Sequence, residues 1–142
     1  SEVEGVTELR PGNYVFFDAM QVALGVVPID RCGLRVVASV LSVYPGRFVI
    51  DAGSKALGLD KGAHGMNGLS GHGVICEANG WEISRLSEEH GIVEVQNGAK
   101  YPSVGDLVEI VPNHACVVAN LGATLHVREG DRRQRWELIG RR

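Results

Sequence analysis

Short apolar runs that alternate with turn residues constrain the fold of this chain more than any other feature. About ten such runs are spaced along the sequence with Gly, Pro or Asn between most of them, a pattern typical of β-sandwiches and β-barrels. The clearest helical signal is Asp18 followed three residues later by Gln21, which predicts a capped helix from Ala19 to Leu24. We therefore predict an all-β chain, a single β-barrel-like domain over residues 1–142 with at most one or two short helices.

Turn residues also predict how the strands pair. Pro45 and Gly46 stand where a type II turn needs them, which predicts a hairpin between residues 34–43 and 48–50. Asn79-Gly80 predicts a second hairpin, between residues 74–77 and 81–86. Further predicted strands are an aromatic one at residues 14–17, one at 92–95 after a turn at 87–91, and a last hairpin of 124–128 with 135–139.

Composition and charge exclude several classes of protein. The net charge of -3 argues against a nucleic-acid surface, and the six arginines between Arg128 and Arg142 are interpreted as a solvated tail strand. Three widely spaced cysteines, Cys32, Cys76 and Cys116, argue against a disulfide framework and for a reducing cytoplasm. No apolar stretch has the length of a membrane span, and no signal peptide opens the sequence. Because the chain begins at a serine, we expect it to be a fragment of a larger protein.

A glycine-rich segment from Gly58 to Gly73 is the one long stretch without apolar periodicity. Six of its sixteen residues are glycine, but it lacks the pattern of a phosphate-binding loop. His64 and His72 within it are candidate metal ligands, although histidines in such a loop are more often solvated. His90 is likewise either a turn residue beside two carboxylates or a catalytic base, and the turn interpretation is favoured.

His114 and Cys116 are the strongest candidates for metal ligands. They follow the apolar run 107–111, and Val117-Val118 continue it, so we predict that residues 113–118 are extended. Alternate side chains of a strand share a face, which would bring the imidazole and the thiolate together. Those two groups suit zinc and leave room for water or substrate. The alternative is that Cys116 is a buried core thiol and His114 its hydrogen-bonded neighbour.

A set of five short stretches runs in order across nearly the whole chain. They are residues 8–16, 51–57, 71–73, 85–91, and 112–116 with Asn120-Leu121. Together they resemble the C-terminal domain of the D-serine dehydratase-like family. This is the β-domain that follows an alanine-racemase-type barrel in fold-type III pyridoxal-phosphate enzymes, among them D-serine dehydratases and D-threonine aldolases.

The resemblance implies a divalent metal bound by His114 and Cys116. The His-x-Cys form resembles zinc-dependent D-serine dehydratases, whereas His-x-Asp with manganese or magnesium resembles D-threonine aldolases. Tyr14, Asp51 and Ser54 occupy motif positions and are candidates to line or brace the site.

Other expectations from the resemblance concern the intact enzyme. Pyridoxal phosphate and its Schiff-base lysine belong to the preceding barrel, so Lys55, Lys61 and Lys100 are not assigned that role. The intact protein is expected to be a lyase for a small D-amino acid and a homodimer, and residues 1–142 alone are expected to be inactive. Two alternatives remain open, a stand-alone metal- or ligand-binding barrel and a module that mainly builds the dimer.

Overall fold

The computed structural model of the chain describes residues 3–61, 69–77 and 79–139. Eight strands lie within them: β1 (Val36–Tyr44), β2 (Arg47–Ile50), β3 (Val74–Ile75), β4 (Trp81–Leu86), β5 (Gly91–Val95), β6 (Leu107–Val111), β7 (Thr124–Glu129) and β8 (Arg132–Glu137). The same residues include three short α-helices, α1 (Ala19–Ala23), α2 (Ser54–Leu57) and α3 (Ala115–Leu121), and 3₁₀ turns at Asn13–Val15 and Ile29–Arg31.

Six strands form one antiparallel sheet in the order β3-β6-β1-β2-β5-β4. Its two edges approach each other, because the backbone N–H of His72, just before β3, donates to the carbonyl of Ile83 in β4 at 3.0 Å. Register shifts in β1 and β4 mark bulges, which bend a sheet locally. The sheet is therefore a nearly closed barrel, and β7 and β8 form a separate two-stranded hairpin.

Inward-facing side chains of this sheet form the main core. In β2, Phe48 and Ile50 are fully buried while Arg47 is exposed, the alternation expected of a strand with one buried face. Trp81 packs against Phe48 edge to face, with ring centroids 4.9 Å apart. A smaller cluster of Ala19, Cys32 and Val111 fixes α1 against the end of β6. This second cluster positions the candidate site.

Most sequence predictions of the fold are confirmed. The chain is mostly β and barrel-like, with eight described strands where about ten were expected and three short α-helices rather than one or two. The hairpin of β1 and β2 turns at Gly46, whose φ is +81°. Asp18 caps α1 in a capping box with Gln21, and β7 pairs with β8. None of the described helices has the length and apolar composition needed to cross a bilayer.

Two predicted strand arrangements are wrong. Residues Asn13–Val15 are a 3₁₀ turn rather than part of an aromatic strand, because the carbonyl of Asn13 accepts the N–H groups of Phe16 and Phe17 at 3.1 and 2.8 Å. The predicted hairpin of residues 74–77 with 81–86 does not form either. β3 pairs with β6, and β4 pairs with β5, so these two strands lie at opposite edges of the sheet. The turn signal at Gly80 marks a real turn, with φ +90°, in the connection that crosses from one edge to the other.

Candidate metal centre

The candidate site lies where β6 ends and α3 begins. The backbone N–H of Ala19 donates to the carbonyl of Pro112 at 3.0 Å, which ties α1 to this corner. His114 is the N-cap residue of α3, with extended backbone angles of -136° and 102°. Cys116 is the second residue of the helix. The two candidate ligands are therefore presented by a strand-to-helix corner.

The prediction that residues 113–118 continue the strand is wrong, and the reason is not local. The carboxylate of Asp18 accepts the backbone N–H of Ala115 at 2.8 Å, across 97 positions of sequence, and so satisfies a first-turn donor of α3. The same carboxylate accepts the N–H of Met20 at 3.1 Å and the side-chain N–H of Asn13 at 2.5 Å. One buried carboxylate thus stabilises the start of both α1 and α3.

Both candidate ligands are accessible at this corner. The side chain of His114 is 26 % exposed, and Cys116 is an exposed free thiol. The alternative interpretation of Cys116 as a buried core thiol is therefore wrong. Burial instead belongs to Cys32, and its pKa is raised, mainly because burial disfavours the thiolate.

Asp60 contacts His114, and the sequence analysis did not predict this contact. Its Oδ2 lies 2.6 Å from Nδ1 of His114, and both side chains are about one-third exposed or less. The side-chain NH2 group of Asn113 donates to the backbone carbonyls of Asp60 and Gly71 at 3.1 and 3.0 Å, and so ties the backbone at Asp60 to the residue before His114. Asp60 stands 54 positions before His114 without a shared periodicity, so no sequence signal joined them.

Among the described residues, Oδ1 of Asn113 and Nδ1 of His72 are buried polar atoms without a hydrogen-bond partner. His72 is only 7 % exposed, so the interpretation of this histidine as solvated is wrong. Burial, and secondarily the positive charge of Lys61, lowers the pKa of His72, so its ring is neutral at pH 7. Buried groups of this kind are normally paired. Oδ1 of Asn113, on the side chain that donates to the carbonyl of Asp60, is an acceptor that the described residues leave open.

Four further candidates, Tyr14, Asp51, Ser54 and His90, lie within the described residues. Tyr14 is 61 % exposed on the first 3₁₀ turn. The carboxylate of Asp51 accepts the N–H of Ser39 in β1 at 2.6 Å, and the backbone N–H of Ser54 donates to the carbonyl of Ser87 at 2.8 Å. His90 is an exposed residue of the turn between β4 and β5. His64 lies outside the described residues.

An imidazole and a thiol are donor types that zinc sites use. Within the described ranges no three His, Cys, Asp or Glu side chains are grouped to hold a metal. Nδ1 of His114 is bonded to Asp60, which leaves Nε2 as its second ring nitrogen, and Cys116 is an exposed thiol two residues later. A two-ligand site leaves positions for water, substrate or groups from another domain.

Comparison with known proteins identifies relatives of this domain. Residues 33–128 match the family described as "Putative serine dehydratase domain". D-serine dehydratase of Dictyostelium discoideum is 34 % identical over 137 residues, covering 89 % of this chain and 34 % of that enzyme. D-threonine aldolase of an Arthrobacter species is 31 % identical over 140 residues, covering 95 % and 34 %. The chain therefore spans about a third of the length of these curated enzymes.

A relative of different size is an uncharacterised protein of Mycobacterium tuberculosis. It is 33 % identical over 130 residues, which cover 87 % of this chain and 95 % of that protein. Among solved structures, D-threo-3-hydroxyaspartate dehydratase from Delftia sp. HT23 superposes with a TM-score of 0.82 at 30 % identity, covering 94 % of this chain and 39 % of that one. Two variants of that dehydratase also have solved structures. One has a histidine changed to alanine. The other has the cysteine two positions later changed to alanine and is described in a metal-free form.

Proposed function

The chain belongs to the serine dehydratase domain family, and on that premise we propose that it is the metal-binding β-domain of a pyridoxal-phosphate-dependent D-amino-acid lyase of the D-serine dehydratase type. The observation that carries the proposal is the accessible pair of His114 and Cys116 at the start of α3. The altered histidine and cysteine of the hydroxyaspartate dehydratase have the same spacing, and its cysteine variant is described in a metal-free form. Imidazole and thiolate together favour zinc.

The residues of this chain have distinct tasks in the proposed site. His114 and Cys116 would hold the metal, and Asp18 fixes the corner that presents them. When bound, pyridoxal phosphate withdraws electrons from Cα of the substrate, and a metal polarises the β-hydroxyl as a Lewis acid. The exposure of this corner leaves one side of the site to be completed by the barrel that carries the cofactor and its lysine.

Dehydration is favoured over retro-aldol cleavage by the identity of residue 116. Dehydratases and an aldolase are both among the relatives, so family membership alone does not separate the two reactions. Cys116 provides a soft thiolate that selects zinc, whereas an aspartate there would select manganese or magnesium. D-serine is accordingly the proposed substrate, and D-threonine the alternative.

A second function is supported by the mycobacterial relative, which is matched over 95 % of its length. That match leaves no room in that protein for a cofactor-binding barrel. A stand-alone metal-binding barrel is therefore the second candidate. Purified residues 1–142 are expected to retain no pyridoxal phosphate and not to turn over D-serine under either candidate. Their metal affinity distinguishes the two, because a stand-alone module binds its metal at full affinity whereas a domain of a larger lyase lacks the groups that complete its site.

A homodimer is the proposed assembly. The hairpin of β7 and β8 exposes both faces, and Trp136 on it is 53 % exposed. An exposed aromatic ring on a marginal two-stranded hairpin favours burial against a second copy of the chain. The free thiols of all three cysteines support a cytoplasmic location.

Steady-state kinetics on the complete protein that contains this chain test the proposal. His114→Ala and Cys116→Ala are expected to lower kcat for D-serine by orders of magnitude while pyridoxal phosphate stays bound. Cys116→Asp is expected to be milder and to shift metal preference toward manganese, with more cleavage of D-threonine. Wild-type rates in His114→Ala would contradict the proposed role of the corner.

A further inference from the structure

We propose that Asp60 is a positioning residue that fixes the tautomer and direction of the His114 ring, so that Nε2 is presented to the metal. The inference rests on the proposed function above. It assigns a role to a carboxylate outside the His-x-Cys pair, from contacts that the described residues make.

The Asp60–His114 contact has hydrogen-bond length, with 2.6 Å between Nδ1 of His114 and Oδ2 of Asp60. The inference assigns the proton to Nδ1, which then donates to the carboxylate. In the neutral ring the lone pair is then on Nε2, the nitrogen that faces away from Asp60. A metal-bound histidine commonly donates its other N–H to a carboxylate, which orients the ring and strengthens the ligand.

The backbone at Asp60 and just before it is held in place by two contacts. Asn113, which is 2 % exposed and directly precedes His114, donates to the backbone carbonyl of Asp60 at 3.1 Å. Two residues earlier, Gly58 has φ +69° and passes so close to α3 that a Cβ there would lie 2.7 Å from Cγ1 of Val117. The segment 58–60 is therefore fitted against the start of α3. A carboxylate on a segment held in this way can impose a direction on the ring that it contacts.

The test compares wild type, Asp60→Asn and Asp60→Ala in the 142-residue chain, with Asp106→Asn as the matched control. Asp106 accepts the N–H of Ser103 in an exposed turn, away from the corner. Long-range nitrogen–proton NMR at a pH where histidine is neutral reports the tautomer of His114 without any metal. Zinc titration by calorimetry reports the affinity separately, and the proton–nitrogen correlation spectrum confirms that each variant is folded.

The inference expects the Nδ1–H tautomer in wild type and in Asp106→Asn, and its loss in Asp60→Ala, which removes the acceptor; Asp60→Asn keeps an acceptor oxygen but not the charge. Zinc affinity is expected to fall by about 10- to 100-fold in Asp60→Ala. An Nε2–H tautomer in wild type, or an unchanged tautomer in Asp60→Ala, overturns the inference. If zinc binds wild type and both Asp60 variants equally, the metal-binding proposal survives and the positioning role fails. If the tautomer responds as expected but zinc binds wild type neither in the 142-residue chain nor in the complete protein, the positioning role stands and the metal-binding proposal fails.

Discussion

The carboxylate of Asp18 shows how one residue can determine the geometry of a distant site. It is fully buried and accepts hydrogen bonds from Asn13, Met20 and Ala115. A buried acceptor that is removed leaves its donors without partners, and each such donor costs free energy. At the residue scale, the candidate metal centre therefore depends on a side chain that is remote from His114 in sequence.

Asp18→Ala is expected to lower the free energy of unfolding by about 2–4 kcal/mol, because a helix cap is lost and buried N–H groups are left unpaired. Urea unfolding followed by far-UV circular dichroism measures the loss. Asp106→Ala, at an exposed turn, is the control and is expected to cost less than about 1 kcal/mol. Equal losses in the two variants would show that Asp18 has no special role at the corner.

His72 is expected to make stability depend on pH. Its pKa is lowered in the folded chain by burial and by Lys61, so the unfolded chain binds a proton more readily. This contribution is fully present above about pH 6.5, the ordinary value for histidine, and is lost as the pH falls below it.

The decrease in Tm between about pH 7.5 and 5.5 should therefore be larger in wild type than in His72→Gln. His126→Gln, which changes an exposed histidine of β7, serves as the control and should keep the wild-type slope. A His72→Gln profile that is as steep as wild type would contradict the assignment.

At the scale of elements, α2 connects two of the stretches that carried the family resemblance. The backbone N–H groups of Ser54 and Lys55 donate to the carbonyls of Ser87 and Glu88 at 2.8 and 3.1 Å. The ammonium of Lys55 also lies 3.0 and 2.6 Å from the carboxylates of Glu88 and Glu89, although this exposed pairing adds little stability. Backbone hydrogen bonds therefore join the motif residues 51–57 to the motif residues 85–91.

Gly53 marks where this packing tolerates no side chain. A Cβ there would overlap the carbonyl oxygen of Glu88 and lie 2.5 Å from that of Ser87. Gly53→Ala is expected to cost about 2 kcal/mol or more, because backbone atoms on both sides must move. A Cβ at Gly12 would meet no atom of the described residues within 4 Å, so Gly12→Ala is expected to change stability by less than about 0.5 kcal/mol. Similar urea midpoints for the two variants would contradict the packing described for α2.

The hairpin of β7 and β8 is expected to be the least protected part of the described sheets. A two-stranded hairpin is marginally stable alone, and its residues are largely half-buried or exposed. Amide hydrogen exchange of the dilute chain should be at least about tenfold faster in β7 and β8 than in β2 and β5. Equal protection in the monomer would show that the hairpin needs no partner surface for its stability.

At the scale of the whole molecule, short-range sequence patterns predicted the features that are themselves short-range. Pro45-Gly46 set the turn of the first hairpin, and Asp18 with Gln21 set the start of α1. Those signals act within four residues, so the sequence displays them directly. The mostly β class followed from their spacing.

Features that depend on distant residues could not be predicted. β3 pairs with β6 rather than with its neighbour in sequence, and a Cβ at Gly73 would come within 2.8 Å of Ile110, a contact no turn pattern reveals. Val117-Val118 favour a strand locally, but the cap from Asp18 starts a helix there. The same holds for Asp60, which meets His114 only in the folded barrel.

The metal content of the complete protein tests the central claim most directly. Elemental analysis after purification is expected to find about one divalent ion per chain in wild type, and its loss in both His114→Ala and Cys116→Ala, because two protein ligands cannot be reduced to one without losing affinity. His126→Ala and Cys76→Ala are matched controls at an exposed histidine and an exposed cysteine, and both should keep the metal. Unchanged metal content in His114→Ala and Cys116→Ala would contradict the assignment of this corner as the metal centre.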